Sequence, residues 1–356
     1  MKRLISLLAV ALGCATAPID DGRPPDVELD PLVLRVNHGK VEALDAKSAF
    51  QAASDAYARA EHEDAARRFD EVARLFPDTR YAPHARYNAG LALLQLTRWK
   101  EALVHLIEAE KLLASDADRL DASCQIGLCF ERLESWEDLR GAAQRVLDRK
   151  KLPVRERVEA RARLGIALYQ LGDWARAERA LEEAVEDHRR NPGVPSLKGN
   201  VLVAQAQFLI GEIYRELFRS IRFRLPVESM RRDLNDKSAF FLEAQNAYLG
   251  CIRLSAARWS VAAGYRLGEL YEGMFDDMMA AEVPADLDEE DRRIYFGELK
   301  GYVRPLVERA VDIYERSLSM ADRIGGAAEW SEKSRKGLDR MRDILRNEFG
   351  REGVLP

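Results

Sequence analysis

The chain has 356 residues, 32% of them charged, with 60 acidic against 55 basic side chains and a formal net charge of −5. A mildly acidic chain with no basic stripe is not built for nucleic acid. Beyond Cys14 only Cys124, Cys129 and Cys251 remain, an odd set with no disulfide framework, and they read as small buried core residues.

Lys2 and Arg3 precede an apolar run from Leu4 to Gly13 that is too short to span a bilayer, which predicts an export signal over residues 1–13. The run ends in Ala11-Leu12-Gly13-Cys14, which resembles a bacterial lipobox. The resemblance implies cleavage before Cys14, lipid on that cysteine and, because Ala15 comes next, an outer-membrane location on the periplasmic face. Ala11 stands where leucine is usual, so ordinary signal cleavage, an incidental Cys14 and a soluble periplasmic protein stay open. Loss of Lys2 and Arg3 takes the formal charge from −5 to −7, so acyl chains and no cationic face would hold the protein to a membrane. Residues 14–44, with Pro18, Pro24, Pro25 and Pro31 among acidic residues, read as a tether of about 90 Å at full extension. The apolar stretch Leu32 to Val36 is expected to dock the end of the tether on the first repeat unit.

Gly90, Gly127 and Gly165 recur at intervals of 37 and 38 residues, and each is followed nine residues later by Trp99, Trp136 or Trp174. A period of this size marks stacked helical hairpins. Helix A of each hairpin carries the glycine, where helix B comes close. Helix B carries a small residue facing that contact and a larger one four positions on. Unit one has Ala53 with Ala65-x3-Phe69 and Pro77; unit two has Gly90, Ala102 and Leu106. Unit three has Gly127, Leu139 and Ala143, and unit four Gly165, Ala177, Leu181 and Ala184. The tryptophans cover the hairpin turns as core.

The glycine signal then continues in Ile210-Gly211-Glu212-Ile213-Tyr214 and Leu267-Gly268-Glu269-Leu270-Tyr271, but the period breaks. The glycine-to-helix-B distance is 12 residues in units two to four, 33 in unit five (Ala244-x3-Tyr248) and 42 in unit six (Ala310-x3-Tyr314). Twenty-one added residues shared by two helices make roughly 15 Å of protrusion. Both hairpins are therefore predicted to be lengthened, with tips at Pro226 and Pro284 and a kink at Pro305. Gly326 should end the long helix, and residues 328–346 should form a capping helix anchored by Trp330.

The two tips differ in charge. From Arg219 to Arg232 there are five arginines (Arg219, Arg222, Arg224, Arg231, Arg232) against Glu228, and from Asp276 to Asp291 eight acids and no base. Mutual neutralisation and docking of a charged partner are both open. The five histidines (38, 62, 84, 105, 188) are scattered, and there is no nucleophile elbow, phosphate loop or C-x2-C pair. No enzymatic activity, metal, cofactor or small-molecule substrate is expected.

The pattern of these units resembles the tetratricopeptide repeat, W-x2-L-G-x2-Y…A-x3-F…P. The resemblance implies an all-α solenoid of about six helical hairpins, regular over residues 45–192 and divergent over 193–356, with a C-terminal capping helix. It also implies a concave groove lined by the A helices. By position that lining is Phe50, Tyr57, His84, Tyr87, Leu91, Leu94, Gln95, Leu128, Arg132, Ile166, Tyr169, Gln170, Phe208 and Arg215. Such a surface suits an extended peptide or a partner helix. The segment Leu75 to Gly90 is similar to the repeat linker of envelope proteins of this type, those of outer-membrane assembly and the Tol-associated group. The C-terminal run around Val283-Pro284, Val303-Arg304-Pro305-Leu306 and Ala328-Glu329-Trp330 is more like the gliding-motility group. The implied function is a tethered interaction scaffold for an envelope protein or complex, or else a soluble periplasmic adaptor that regulates or delivers a cell-wall enzyme.

Overall fold

A computed structural model describes residues 31–37, 40–324 and 328–350. The expected export signal, Cys14, the tether as far as residue 30, and Gly326 lie outside the described residues. Two strands come first, β1 (Leu32–Asn37) and β2 (Lys40–Asp45), paired antiparallel from Leu32↔Asp45 to Asn37↔Lys40. The helical hairpins are α1/α2 (Ala46–Ala58, His62–Leu75), α3/α4 (Tyr81–Gln95, Trp99–Leu112), α5/α6 (Asp116–Arg132, Trp136–Leu147), α7/α8 (Val154–Gln170, Trp174–Arg190), α9/α10 (Val201–Ser220, Val227–Arg253) and α11/α12 (Ala257–Met279, Glu289–Ile324). The last helix, α13 (Ala328–Ile344), runs into one π-helical turn at Leu345–Phe349.

Each second helix packs on the first helix of the next hairpin, from α2 on α3 through α12 on α13. First helices also meet one another, as in α7 with α9, α9 with α11 and α11 with α13. This is the two-layer connectivity of a helical solenoid, and α13 occupies the place of helix A in a seventh unit that has no partner helix among the described residues.

Local sequence explains the helix ends. The Asp45, Ser115, Asp173 and Asn200 side chains accept hydrogen bonds from the first free backbone N–H groups of α1, α5, α8 and α9. The turns of the first four hairpins each place one residue in the left-handed region two positions before helix B: Ala60, Thr97, Glu134 and Gly172, with φ of 61°, 57°, 55° and 80°. Only the fourth turn has the residue type that adopts this conformation without strain.

The helix contact differs from the expected one. Ala102, Ala177, Ala244 and Ala310 are fully buried, and they let the helix B backbone approach. The side chain lying on each glycine is the one four positions later. A Cβ on Gly90 would stand 2.7 Å from Leu106 Cγ, and one on Gly165 would stand 2.5 Å from Leu181 Cγ. Tyr248 covers Gly211 in the same way, and Tyr314 covers Gly268. Unit three reverses the order, with Leu139 at the small position. There the nearest atom to a Cβ on Gly127 is Arg163 Cδ of the next unit, at 3.4 Å.

The last two hairpins are lengthened: α9 to α12 have 20, 27, 23 and 36 residues. Pro226 immediately precedes α10, Pro284 lies in the α11–α12 connection, and α12 is continuous through Pro305. One expectation fails at the other end. Residues 32–37 and 40–44 of the expected tether form a β-hairpin with Asp45; its apolar stretch docks on unit one as expected, through Val33 and, on the paired strand, Leu44, which face the core while Leu32 and Leu34 stay exposed. Trp330 anchors α13 as expected, stacking near Tyr265 at 5.5 Å between ring centroids.

Candidate binding surface

The first-helix layer holds a cleft of about 290 Å³ between three consecutive units. It is lined by Asp121, Cys124, Gln125 and Leu128 from α5, by Arg155, Glu156, Glu159 and Arg163 from α7, and by Asn200, Val201 and Leu202 at the start of α9. Glu159 organises it. Its carboxylate accepts from Arg155 Nε at 3.0 Å and from Asn200 Nδ2 at 3.2 Å, with Arg163 Nη1 at 3.7 Å. Arg163, only 9% exposed, also reaches Glu131 at 3.4 Å. Because Gly127 has no side chain, this guanidinium stem can cross from unit four onto unit three. The cleft therefore carries paired charges on a fixed frame, beside the exposed apolar Val201.

Deeper in the chain the same layer is closed by a second network. Glu212 accepts from Tyr248 Oη at 2.6 Å and lies 3.0 Å from Arg266 Nε and 3.3 Å from Arg215 Nε. Arg215 also binds Glu216 at 2.7 Å. Burial, and after it the Glu212 charge, hold the Tyr248 hydroxyl well above its ordinary pKa of 10. Burying charges is tolerable when each is paired.

The structure separates the expected groove residues. His84, Gln95, Arg132 and Gln170 are exposed, while Phe50, Tyr57, Tyr87, Leu91, Leu128 and Tyr169 are half-buried. Four are corrections: Leu94, Ile166, Phe208 and Arg215 are buried. Leu94 and Ile166 face the hydrophobic core. Phe208 lies under Trp259, 5.2 Å between centroids, and Arg215 is taken up by acidic neighbours. Several half-buried rings are also engaged: Phe50 packs edge-on to Phe69 at 5.4 Å, Tyr57 on His62 at 5.3 Å, and Tyr87 donates to Asp121. Arg132 stacks over Trp99 at 5.8 Å. The open lining is thus narrower than the repeat pattern implies.

At the hairpin tips Arg222 Nη1 meets Asp277 Oδ1 at 2.8 Å, and Leu225 N donates to Glu282 Oε2 at 2.8 Å. Arg219 approaches Glu216 at 3.5 Å and Arg232 donates to Ser229 Oγ at 3.1 Å. Arg224 and Arg231 are exposed and have no carboxylate partner among the described residues. Beneath them sits a residue that the sequence pattern did not single out. Lys237 has no solvent exposure, and its Nζ donates to Phe218 O at 2.7 Å and Ile221 O at 3.0 Å and pairs with Asp277 at 2.8 Å. Burial pushes its pKa down and Asp277 opposes the shift. The signal was present, since Lys237, Phe241, Ala244 and Tyr248 share one helical face and so place the lysine in line with the core.

Cys129 and Cys251 are buried as expected and Cys124 is half-buried; burial raises the Cys124 thiol to about 11 and the other two to about 12. Among the described residues no group of three or more His, Cys, Asp or Glu side chains is placed to hold a metal ion, and no helix is long and apolar enough to cross a membrane.

Residues 159–190, most of α7 and all of α8, match the family model of the tetratricopeptide repeat. No curated protein sequence matches the chain. Among solved structures the chain is similar to the apo form of RapI, at 10% identity and TM-score 0.48, over 85% of this chain and 99% of that one. It is also similar to a tetratricopeptide repeat protein from Parabacteroides merdae, at 14% identity and TM-score 0.41, over 83% and 98%. YrrB, described as a repeat protein with an unusual peptide-binding site, gives 19% identity and TM-score 0.38 over 59% and 92%. Likeness at this level speaks to neither partner nor activity. The helix pairing, the glycine contacts and the matched fourth unit together make the chain from Ala46 onward an all-helical, tetratricopeptide-like solenoid.

Proposed function

We propose that the chain is a non-catalytic interaction scaffold that receives an extended segment or helix of an envelope protein on its first-helix layer, and that lipid on Cys14 tethers it to the outer membrane. The observation that carries the binding half is the cleft between α5, α7 and α9, where three units supply side chains to one opening. Its charges are held by Glu159, so a partner meets a preorganised surface and little side-chain freedom is lost on binding. The tethering half rests on the Ala11-Leu12-Gly13-Cys14 motif and the proline-rich stretch after it.

A photoreactive residue at Gln125, in the cleft, tests the first half in cells, with one at Val104, an outer-layer residue 58% exposed, as control. A discrete crosslinked partner at 125 and none at 104 is expected; equal yields at both would refute the cleft. Cys14→Ser tests the second half. The variant should leave the membrane fraction, and retention there would rule out lipid at this residue.

A further inference from the structure

We propose that the two long hairpins are the contact between two copies of this chain, related by a two-fold axis that sets the basic tip of one against the acidic tip of the other. The tips lie side by side, joined by the Arg222–Asp277 pair and by the Leu225–Glu282 hydrogen bond. Lys237 fixes that arrangement from below, because its ammonium ties the end of α9 to Asp277 of α11.

Neutralisation between the tips is incomplete. On the fifth hairpin Arg224 and Arg231 are exposed with no carboxylate partner among the described residues, and Arg232 reaches only a serine hydroxyl. On the sixth, the exposed Asp286, Glu289 and Asp291 side chains have no cationic partner among the described residues. Apolar side chains stand among these charges: Val227 is 50% exposed on one tip and Ile294 55% on the other.

The neighbouring signs select the partner. An anionic lipid surface that attracted the fifth tip would at the same moment meet the acids of the sixth. A uniformly acidic or basic protein would face the same conflict. The fitting partner presents both signs side by side, in the opposite order. A second copy turned by 180° does so, because an isologous contact repeats each pairing twice. Charge complementarity then sets register and speeds encounter, and the exposed valine and isoleucine come under cover. The cleft between α5, α7 and the start of α9 lies at the base of the fifth hairpin, the length of α9 away from its tip, and stays open, so this contact stands or falls apart from the proposed function.

The test uses two differently tagged full-length copies, co-expressed and captured through one tag from detergent extract. Wild-type copies should co-purify at low salt, with recovery falling about tenfold between roughly 50 and 300 mM salt as screening shortens. Copies that both carry Arg224→Glu, Arg231→Glu and Arg232→Glu should not co-purify. Copies that both carry Asp286→Lys, Glu289→Lys and Asp291→Lys should fail likewise. One copy of each kind should pair again, since every tip then meets its opposite, and that rescue excludes misfolding as the cause of the losses. Wild-type copies that stay apart, variants that pair with themselves, or mixed variants that do not pair would each overturn the proposal.

Discussion

The ring edge of Tyr248 lies over Gly211, where an added Cβ would stand 2.5 Å from Cε1. Tyr248 is fully buried and hydrogen-bonded to Glu212, so it has no free direction of retreat. Gly211→Ala should destabilise by about 1–3 kcal/mol, the range for overpacking a filled core. Gly297→Ala, where a Cβ meets nothing within 4 Å, should instead stabilise by about 0.5–1 kcal/mol. Urea unfolding of both variants checks the contrast, and two shifts of the same sign would contradict it.

Lys237→Met should be among the more damaging single changes. It removes the ammonium donor from the carbonyls of Phe218, which keeps only the long 3.4 Å bond from Ile221 N, and of Ile221, and takes one of two cations from Asp277. A loss of about 3 kcal/mol is expected, at the lower end for breaking a buried pair because Arg222 stays. Hydrogen exchange should speed up first at the end of α9, and unchanged protection there would count against the strut.

Alkaline pH should unfold the chain through its tyrosines. Burial first, and then Glu269, pushes Tyr265 up to about 12. Burial, with Asp121, Glu178 and Glu272 as acceptors, raises Tyr87, Tyr214 and Tyr314 as well. Each pKa is higher folded than unfolded, so the native state holds these protons more tightly. The stability they contribute is complete below about pH 10 and is lost as pH rises through and above it. At pH 11, absorbance at 295 nm should show less phenolate in the native protein than in urea; equal signals would refute the shifts.

The left-handed turn residues offer an opposite kind of change. Glu134 has φ 55° at the position where unit four has Gly172, and its side chain is exposed. Glu134→Gly should stabilise by about 0.5 kcal/mol, since relief of backbone strain exceeds the added freedom of the unfolded glycine. A lower denaturation midpoint would show that the turn is not strained.

Helical period and glycine spacing make the solenoid legible in the sequence, down to the lengthened hairpins and the tips at Pro226 and Pro284. The sequence was a poorer guide to what each contact is made of. Gly90 implied close approach, but the chain alone did not say that Leu106 and not Ala102 would lie on it, since helix tilt decides which. The groove suffered the same limit: Phe208 and Arg215 have the right position on helix A, yet later units close over them. β1 and β2 were missed because prolines before them dominate the composition, while the Leu32 to Val36 alternation is short. Lys237 was missed for its charge, although its place on the apolar face of α10 was readable.

Asp45 is both the last residue of β2 and the N-cap of α1, its carboxylate accepting from Ser48 N at 2.8 Å. No slack chain separates sheet from solenoid at this point. Tension applied from the N-terminal side therefore reaches the first helix through the strand pairing of β1 with β2, loading those backbone hydrogen bonds before any repeat interface. Under such a load the strand pair would open first, from the Leu32–Asp45 end, while the stacked repeats keep their shape.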